Sequence, residues 1–386
     1  MYEIINEGKV IIRIKKADKI SKEMDVFYNP VMKLNRDISV LLLNSIDAKN
    51  TQIALPLAGS GIRGIRFLKE LKKNKIKSIS FNDYSIKAVN SIKNSLKLNN
   101  IKNKKIIIYN NDANLFLLNS SGFDYIDIDP FGTSNFYLDS AIKRISRNGI
   151  LAVTNTDTAA LTGTYPKACV RKYWSTPKRD YMMHETGLRI LIRKIQLVGM
   201  QYEKALFPIF SYFKDHYFRI FFECVKGKKL CDEIALEHGM FNDVGPLWMG
   251  NLWEGKLVNR MYSSLLKNSI GNKSLKINSI KNEKSIIIEN NNLMNKINKG
   301  IINNNQNYNE LLRFLKIIKE EPKINAVGFY DVHDIAKKNK LKTIIRKEEL
   351  IKKIKKCGYK AADTHFLGTG IRTNIDYKGF LELLKE

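Results

Sequence analysis

The chain has 386 residues, 44% of them hydrophobic, which is enough for two or three ordinary cores and predicts a globular, multidomain protein. Its 66 Lys and Arg against 38 Asp and Glu leave a formal charge of +28, too large to be incidental solubility, so nucleic acid is the favoured partner and an acidic membrane surface the second. No run reaches the ~20 apolar residues a membrane span needs, Met1 to Lys16 carries Glu3 and Glu7 without an apolar segment, and the four cysteines include no Cys-x-x-Cys pair, so a soluble, untargeted cytoplasmic protein with reduced thiols is expected. Cys224, Cys231 and His238 supply three candidate ligands where structural zinc takes four, so no metal is expected.

Gly8 to Lys16 alternate apolar and charged side chains, which predicts a half-exposed strand in a hairpin-like opening. Phe27-Tyr28-Asn29-Pro30, followed by Val31 to Asp37, places two aromatics and Arg36 just ahead of an apolar helix, Ile38 to Asn44. Simple packing of those rings onto the core is the competing reading. Gln52 to Leu57 is a short apolar strand running into Ala58-Gly59-Ser60-Gly61-Ile62-Arg63-Gly64 and an amphipathic helix, a G-x-G-x-x-G in strand-loop-helix context. Such glycines let the backbone approach a nucleotide-like ligand, and the helix N-terminus favours negative charge there.

The next strand, Ser78 to Phe81, ends at Asn82-Asp83, and an acid about twenty residues past the glycines is placed to accept both ribose hydroxyls. Helix Ile86 to Asn99 leads to strand Lys105 to Tyr109, whose end carries Asp112, a candidate for an adenine amino group or equally the N-cap of helix Ala113 to Leu118. The fourth strand runs from Tyr125 into Asp129-Pro130-Phe131-Gly132. There a carboxylate and the Pro130 carbonyl are set to accept N–H groups beside an aromatic face, an arrangement suited to a flat, amine-bearing base; an ordinary turn uses the same residues. Helix Phe136 to Ser146 and strand Gly149 to Asn155 complete a repeated strand-helix alternation, which predicts a parallel, doubly wound sheet.

Thr156 to Pro177 reads as a long polar loop whose Lys167, Arg171 and Lys172, with Lys178 and Arg179 beyond it, suit phosphate contacts or a plain solvated face. A helix from Arg179 to about Val198 carries His184 and Glu185, to which no role is assigned. Tyr202 to Tyr212 and His216 to Val225 are joined by a turn too short for a parallel crossover and are expected to be antiparallel neighbours. Gly245 to Trp253 reads as packing, and Asn268 to Glu310 as a low-complexity boundary with mobile stretches. Beyond it come helix Leu311 to Lys319, a strand-like Ala326 to Tyr330, helices Asp331 to Lys338 and Lys347 to Cys357, and an extended Thr364 to Arg372, a winged-helix-like basic unit with Arg372 as a candidate RNA contact.

Taken together, Phe27 to Pro30 with Leu34 to Asp37, Gly61 to Arg66, Asn82-Asp83, Asp129 to Gly132, Thr156-Asp157 with Gly163 to Cys169, and His184 to Leu191 resemble the tRNA (guanine-26 N2) dimethyltransferase family of archaeal and eukaryotic type. Gly328 to His333 and Thr364 to Phe366 extend the resemblance into the C-terminal region. It implies a Rossmann-like class I methyltransferase sheet with a reversed last strand, spanning residues 1–260. A smaller, basic α+β domain over residues 261–386 would bind tRNA. It further implies that Arg36, Arg66, Asp83, Asp112 and Ala113 bind S-adenosylmethionine, beside Gly59 and Gly61 of the glycine pattern read above. Asp129 and Pro130 would hold the guanine amine and Phe27 and Phe131 sandwich the base, giving N2,N2-dimethylguanosine. The chain departs from the family at Leu55, where an acid is usual, and at Thr133-Ser134, where Ser-Pro is usual. It also lacks the zinc-ligating Cys pairs of some relatives, so no zinc is expected. A methyltransferase for another tRNA or rRNA amine, a nicotinamide-dependent oxidoreductase and a non-catalytic RNA-binding protein are the alternatives. A monomer is the simplest expectation.

Overall fold

The computed structural model describes residues 2–15, 26–102, 105–267 and 308–385; most of the expected low-complexity boundary lies outside them. The chain opens with an antiparallel hairpin of β1 (Tyr2–Glu7) and β2 (Val10–Lys15). At its turn Gly8 has φ +58°, and a Cβ there would meet Glu70 Oε1 at 2.2 Å, so the seat of the hairpin requires glycine. Helix α1 (Lys33–Ser45) begins earlier than the apolar run suggested, because a turn at Pro30–Met32, capped by Asn29 Oδ1 accepting from Val31 N, leads straight into it.

The main sheet contains β3 (Thr51–Leu55), β4 (Ile76–Asn82), β5 (Ile106–Tyr109), β6 (Phe123–Ile128), β7 (Ile145–Asn155), β8 (Lys204–Lys214) and β9 (Tyr217–Lys226), in the order β5-β4-β3-β6-β7-β9-β8. Helices α2 (Ile62–Glu70), α3 (Ile86–Leu98), α4 (Ala113–Leu118) and α5 (Asn135–Arg144) connect the parallel strands. Covered on both faces, β3, β6 and β7 are almost wholly buried, as apolar runs in a parallel sheet require. The short Asp215 turn makes β9 run antiparallel to β8, and β9 inserts between β8 and β7 as the one reversed strand. The order reverses between β3 and β6, so their carboxyl ends open side by side at the switch point.

The segment read as a long loop instead contains α6 (Thr158–Leu161) and α7 (Pro166–Tyr173). Pro166 sits in the first turn of α7, where its missing N–H costs nothing. Beyond α8 (Met183–Met200) come α9 (Lys228–Leu236) and a hairpin of β10 (His238–Phe241) and β11 (Val244–Trp248). Helices α10 (255–267) and α11 (308–318) bury Leu257, Met261, Leu311 and Leu315 in the same cluster as the sheet.

A second cluster, containing Val332, Ile335, Leu350, Ile354, Ile371 and Phe380, is confined to the C-terminal unit. That unit comprises β12 (Tyr330–Asp331), α12 (Val332–Lys338), α13 (Lys347–Lys356), β13 (Ala361–Asp363), β14 (Gly370–Thr373) and α14 (Tyr377–Lys385), with sheet order β12-β14-β13. Two helices are followed by the paired strands β13 and β14, and β12 ahead of the helices pairs with β14.

Arg372 is a correction. It is fully buried, donating to Glu185 Oε2 at 2.6 Å, to Glu321 Oε2 at 2.9 Å and to the carbonyls of Ala326 and Gly328. A guanidinium held by two buried carboxylates clasps the C-terminal unit to α8 and is closed to RNA. Glu185, on which burial acts upward, is drawn down to about 2 by Arg372 and Arg189.

Candidate active site

Asn82 ties together the ends of three strands. Its Nδ2 donates to Pro56 O and Asn111 O, both at 3.0 Å, its Oδ1 accepts from Asn111 N at 3.1 Å, and its carbonyl accepts from Ala58 N at 2.9 Å. The glycine turn follows in the left-handed region, with φ +53° at Gly59 and +77° at Gly61; a Cβ on Gly61 would lie 2.8 Å from Ile92. Asp83 accepts from Gly59 N at 2.8 Å and Ser85 N at 2.9 Å, which fixes its carboxylate beside the turn. Asp112 is the N-cap of α4, its Oδ1 accepting from Asn114 N and Leu115 N, with Ala113 buried behind it.

Between this turn and the end of β6 lies a cleft of about 910 Å³ counted to its open mouth, lined among others by Arg36, Gly59, Arg63, Asp129, Pro130 and Phe131. The Arg36 guanidinium borders it but is gripped by Glu7, with Nε to Oε1 at 2.7 Å and Nη2 to Oε2 at 2.5 Å. Burial acts upward on Glu7, yet Arg36 and then Arg66 draw it down to about 2. Arg66 is not among the lining residues. Its nitrogens are committed to Glu7 at 2.9 Å, Asp37 at 2.6 Å and Glu70 at 2.7 and 2.9 Å, which removes it from direct cofactor contact. Arg63, three residues earlier on α2, holds the cleft-facing position.

Arg63 is the residue that the sequence reading missed. Its Nη1 donates to Asn35 Oδ1 and Ser39 Oγ at 2.9 Å, its Nε lies 3.5 Å from Asp127 Oδ2, and its Nη2 donates to Asp129 Oδ2. Asp127 is in turn gripped through both oxygens by Arg219, at 2.9 and 2.8 Å, and accepts from the Tyr125 hydroxyl at 2.6 Å. Burial acts upward on Asp127, but Arg219 and Arg63 hold its carboxyl below the usual range. Two cations and two carboxylates thus balance at the floor of the cleft. Asp129 is the most open of the four, its side chain 25% exposed, and its Oδ1 has no partner among the described residues. In Tyr125-Ile126-Asp127-Ile128-Asp129, period-two spacing put both acids on one face of the strand, a signal available before the fold was known.

The loop after Pro130 is held from β7 and α7. Gly132 N donates to Thr156 Oγ1 at 2.7 Å and Thr156 N to Gly132 O at 2.9 Å, while the Tyr173 hydroxyl lies 3.0 Å from Thr133 Oγ1 and donates to Asp157 Oδ2 at 2.9 Å. Phe27 and Phe131 meet edge to face, centroids 4.3 Å apart and planes at 75°. A base between parallel rings needs two contacts of about 3.5–4 Å each, so these rings must part to admit one. Lys167, Arg171 and Lys172 are exposed on α7, Lys172 paired with Asp157 at 2.9 Å. Among the described residues no group of three metal-ligating side chains converges, and no helix is long and apolar enough to cross a membrane.

A parallel sheet with one reversed strand, a glycine turn at the switch point and an acid at the end of the second strand define a class I S-adenosylmethionine-dependent methyltransferase. The profile of the N2,N2-dimethylguanosine tRNA methyltransferase family matches residues 8–243 and 285–385, and the chain belongs to that family. The tRNA (guanine(26)-N(2)/guanine(27)-N(2))-dimethyltransferase of Aquifex aeolicus is 34% identical, with 100% of this chain and 96% of the relative covered. The tRNA (guanine(26)-N(2))-dimethyltransferase of Methanocaldococcus jannaschii is also 34% identical, over 99% of this chain and 98% of the relative. The solved complex of Trm1 from Pyrococcus horikoshii with S-adenosyl-L-methionine matches with a TM-score of 0.81 at 33% identity, covering 100% of both chains.

Proposed function

We propose that this chain dimethylates the exocyclic N2 of guanine 26 in tRNA with S-adenosylmethionine as donor. The observation that carries the reading is the Asp129-Pro130 strand end. A carboxylate oxygen without a partner among the described residues and a main-chain carbonyl stand beside two phenyl rings at the mouth of the cleft. The residues present fit the donor. The Gly59-to-Gly61 turn heads α2, Asp83 is fixed beside it for ribose hydroxyls, and Asp112 with Ala113 would take the adenine. When bound, the donor supplies an electrophilic sulfonium methyl.

Guanine N2 is a weak nucleophile because its lone pair is delocalised into the ring. Asp129 Oδ1 and the Pro130 carbonyl would each accept an N–H, which favours the pyramidal amine and aims it. The Asp129 charge stabilises the cation developing on nitrogen, and the released proton passes to the carboxylate or to water. After one transfer a single N–H still has an acceptor, so a second transfer is geometrically open. The guanine leaves its stack, and the Phe27 and Phe131 faces repay part of that cost at about 1–3 kcal/mol per stacked base. All these groups belong to one chain, and we take the working unit to be a monomer in the cytoplasm.

The test is nucleoside mass spectrometry of unmodified tRNA incubated with the protein and donor, with position mapping of the product. N2,N2-dimethylguanosine at position 26 is expected, and product at position 27, the second site named for the Aquifex relative, would widen the specificity. Methylated adenine, or no methylated guanine, would overturn the reading.

A further inference from the structure

Directly after α7, Trp174 adopts the left-handed region with φ 57° and ψ 39°, a conformation disfavoured for any residue with a Cβ. Its N donates to Val170 O at 3.1 Å, its carbonyl accepts from Arg193 Nη1 at 3.3 Å, and the Lys194 ammonium lies 3.0 Å from the ring centroid. Lys194 is itself only 7% exposed, so a buried cation backs one face of the indole. The residue nevertheless remains 50% exposed, an unusual use of a large ring whose backbone is strained and hydrogen-bonded at both its N–H and its carbonyl.

The surroundings show what would cover it. Lys167 and Arg171 on α7 are exposed, and so are the rings of Tyr165, at the opposite end of α7, and of Phe136, next to Asn135 at the start of α5, at 64% and 73%. The end of α7 is tied to the loop that borders the cleft, because Asn135 Nδ2 donates to Lys172 O at 2.9 Å and Tyr173 meets Thr133, two residues past Phe131. An exposed aromatic face beside Lys167 and Arg171, which form no ion pair among the described residues, matches single-stranded nucleic acid, where every base offers a π-face and every linkage a phosphate. An acidic protein or an anionic membrane would use the cations but has less use for a fixed, one-sided indole.

We propose that Trp174 is a stacking platform for an unstacked tRNA nucleotide beside the guanine drawn into the cleft, with Arg171 and Lys167 on the adjoining phosphates. This rests on the tRNA reading above. The chain's own composition supplies the probe, since it has three tryptophans and Trp248 and Trp253 are 5% and 7% exposed. Addition of tRNA is expected to quench the emission of the accessible indole and shield it from iodide, and the response should vanish in Trp174→Phe. Trp174→Ala should raise the Kd for tRNA by about 10- to 100-fold and leave the Kd for S-adenosylmethionine unchanged. If the wild-type protein methylates tRNA while Trp174 stays open to iodide, the platform is overturned and the function stands. If tRNA is neither bound nor methylated, both fall together. Should Trp174→Ala fail to fold, the iodide measurement on the native protein decides alone.

Discussion

Arg63 donates to Asp129 Oδ2 and leaves Oδ1 as an acceptor at the cleft with no partner among the described residues. The fork fixes both the charge and the direction of the carboxylate, because the guanidinium is itself pinned by Asn35, Ser39 and Asp127. Arg63→Lys keeps the charge but not the fork. Since a misplacement of about 1 Å costs on the order of 100-fold, the single-turnover methylation rate should fall by about 10- to 100-fold. That loss should exceed any change in S-adenosylmethionine affinity measured by equilibrium binding. Equal losses in rate and affinity would reduce Arg63 to a cofactor contact.

A second consequence concerns acid. Glu7 and Glu185 are each held at about 2 against the ordinary 4.5, despite burial, by the arginines around them. A depressed carboxyl contributes stability that is fully present above its unfolded value and lost as pH falls through the folded one. Each contributes about 3 kcal/mol by this measure, disappearing between pH 4.5 and about 2. Urea unfolding across that window should show a steep loss of stability, and Glu7→Gln should flatten it. An unchanged slope in the variant would place the acid sensitivity elsewhere.

Much of this arrangement was legible in the sequence, and most of what was not turns on which distant side chain a residue meets. Alternating strands and helices, the glycine turn and the short Lys214-Asp215 connection each rest on local periodicity or chain length, and the parallel sheet with its reversed strand followed from them. Partner choice is different. Arg63 and Arg66 are three residues apart on one helix, nearly a full turn, so spacing alone did not separate the cleft residue from the one that serves Glu7, Asp37 and Glu70. Arg372 was counted with the basic surface because its partners Glu185 and Glu321 are 187 and 51 residues away in sequence. Thr156 to Pro177 reads as a loop from its turn-forming Thr, Gly and Pro, whereas Pro166 stands in the first turn of a helix.

The burial of Arg372 separates stability from binding. Removing it leaves two buried carboxylates short of a counter-charge, so Arg372→Met should cost about 3–5 kcal/mol of stability. It should leave the salt dependence of tRNA affinity untouched. Lys167→Ala with Arg171→Ala should do the reverse, lowering the slope of log K against log salt by about two with little change in the unfolding midpoint. A flat salt response in the parent protein would remove the electrostatic account of its charge. A reduced slope in Arg372→Met would return that residue to the RNA surface.

The closed contact between Phe27 and Phe131 sets the last expectation. Their centroids are 4.3 Å apart and edge to face, so the pair closes the space that a base would occupy and its opening must accompany substrate entry. A tRNA carrying 2-aminopurine at position 26 would brighten on leaving its stack and dim again between the two rings. With the wild-type protein, a transient rise followed by quenching is expected. Phe131→Ala removes one face, so the signal should stay bright and tRNA methylation efficiency should fall by about 10- to 100-fold. Binding of S-adenosylmethionine should persist, since the glycine turn and Asp83 are untouched by the substitution. Quenching of equal depth in Phe131→Ala would show that the base rests against some other surface.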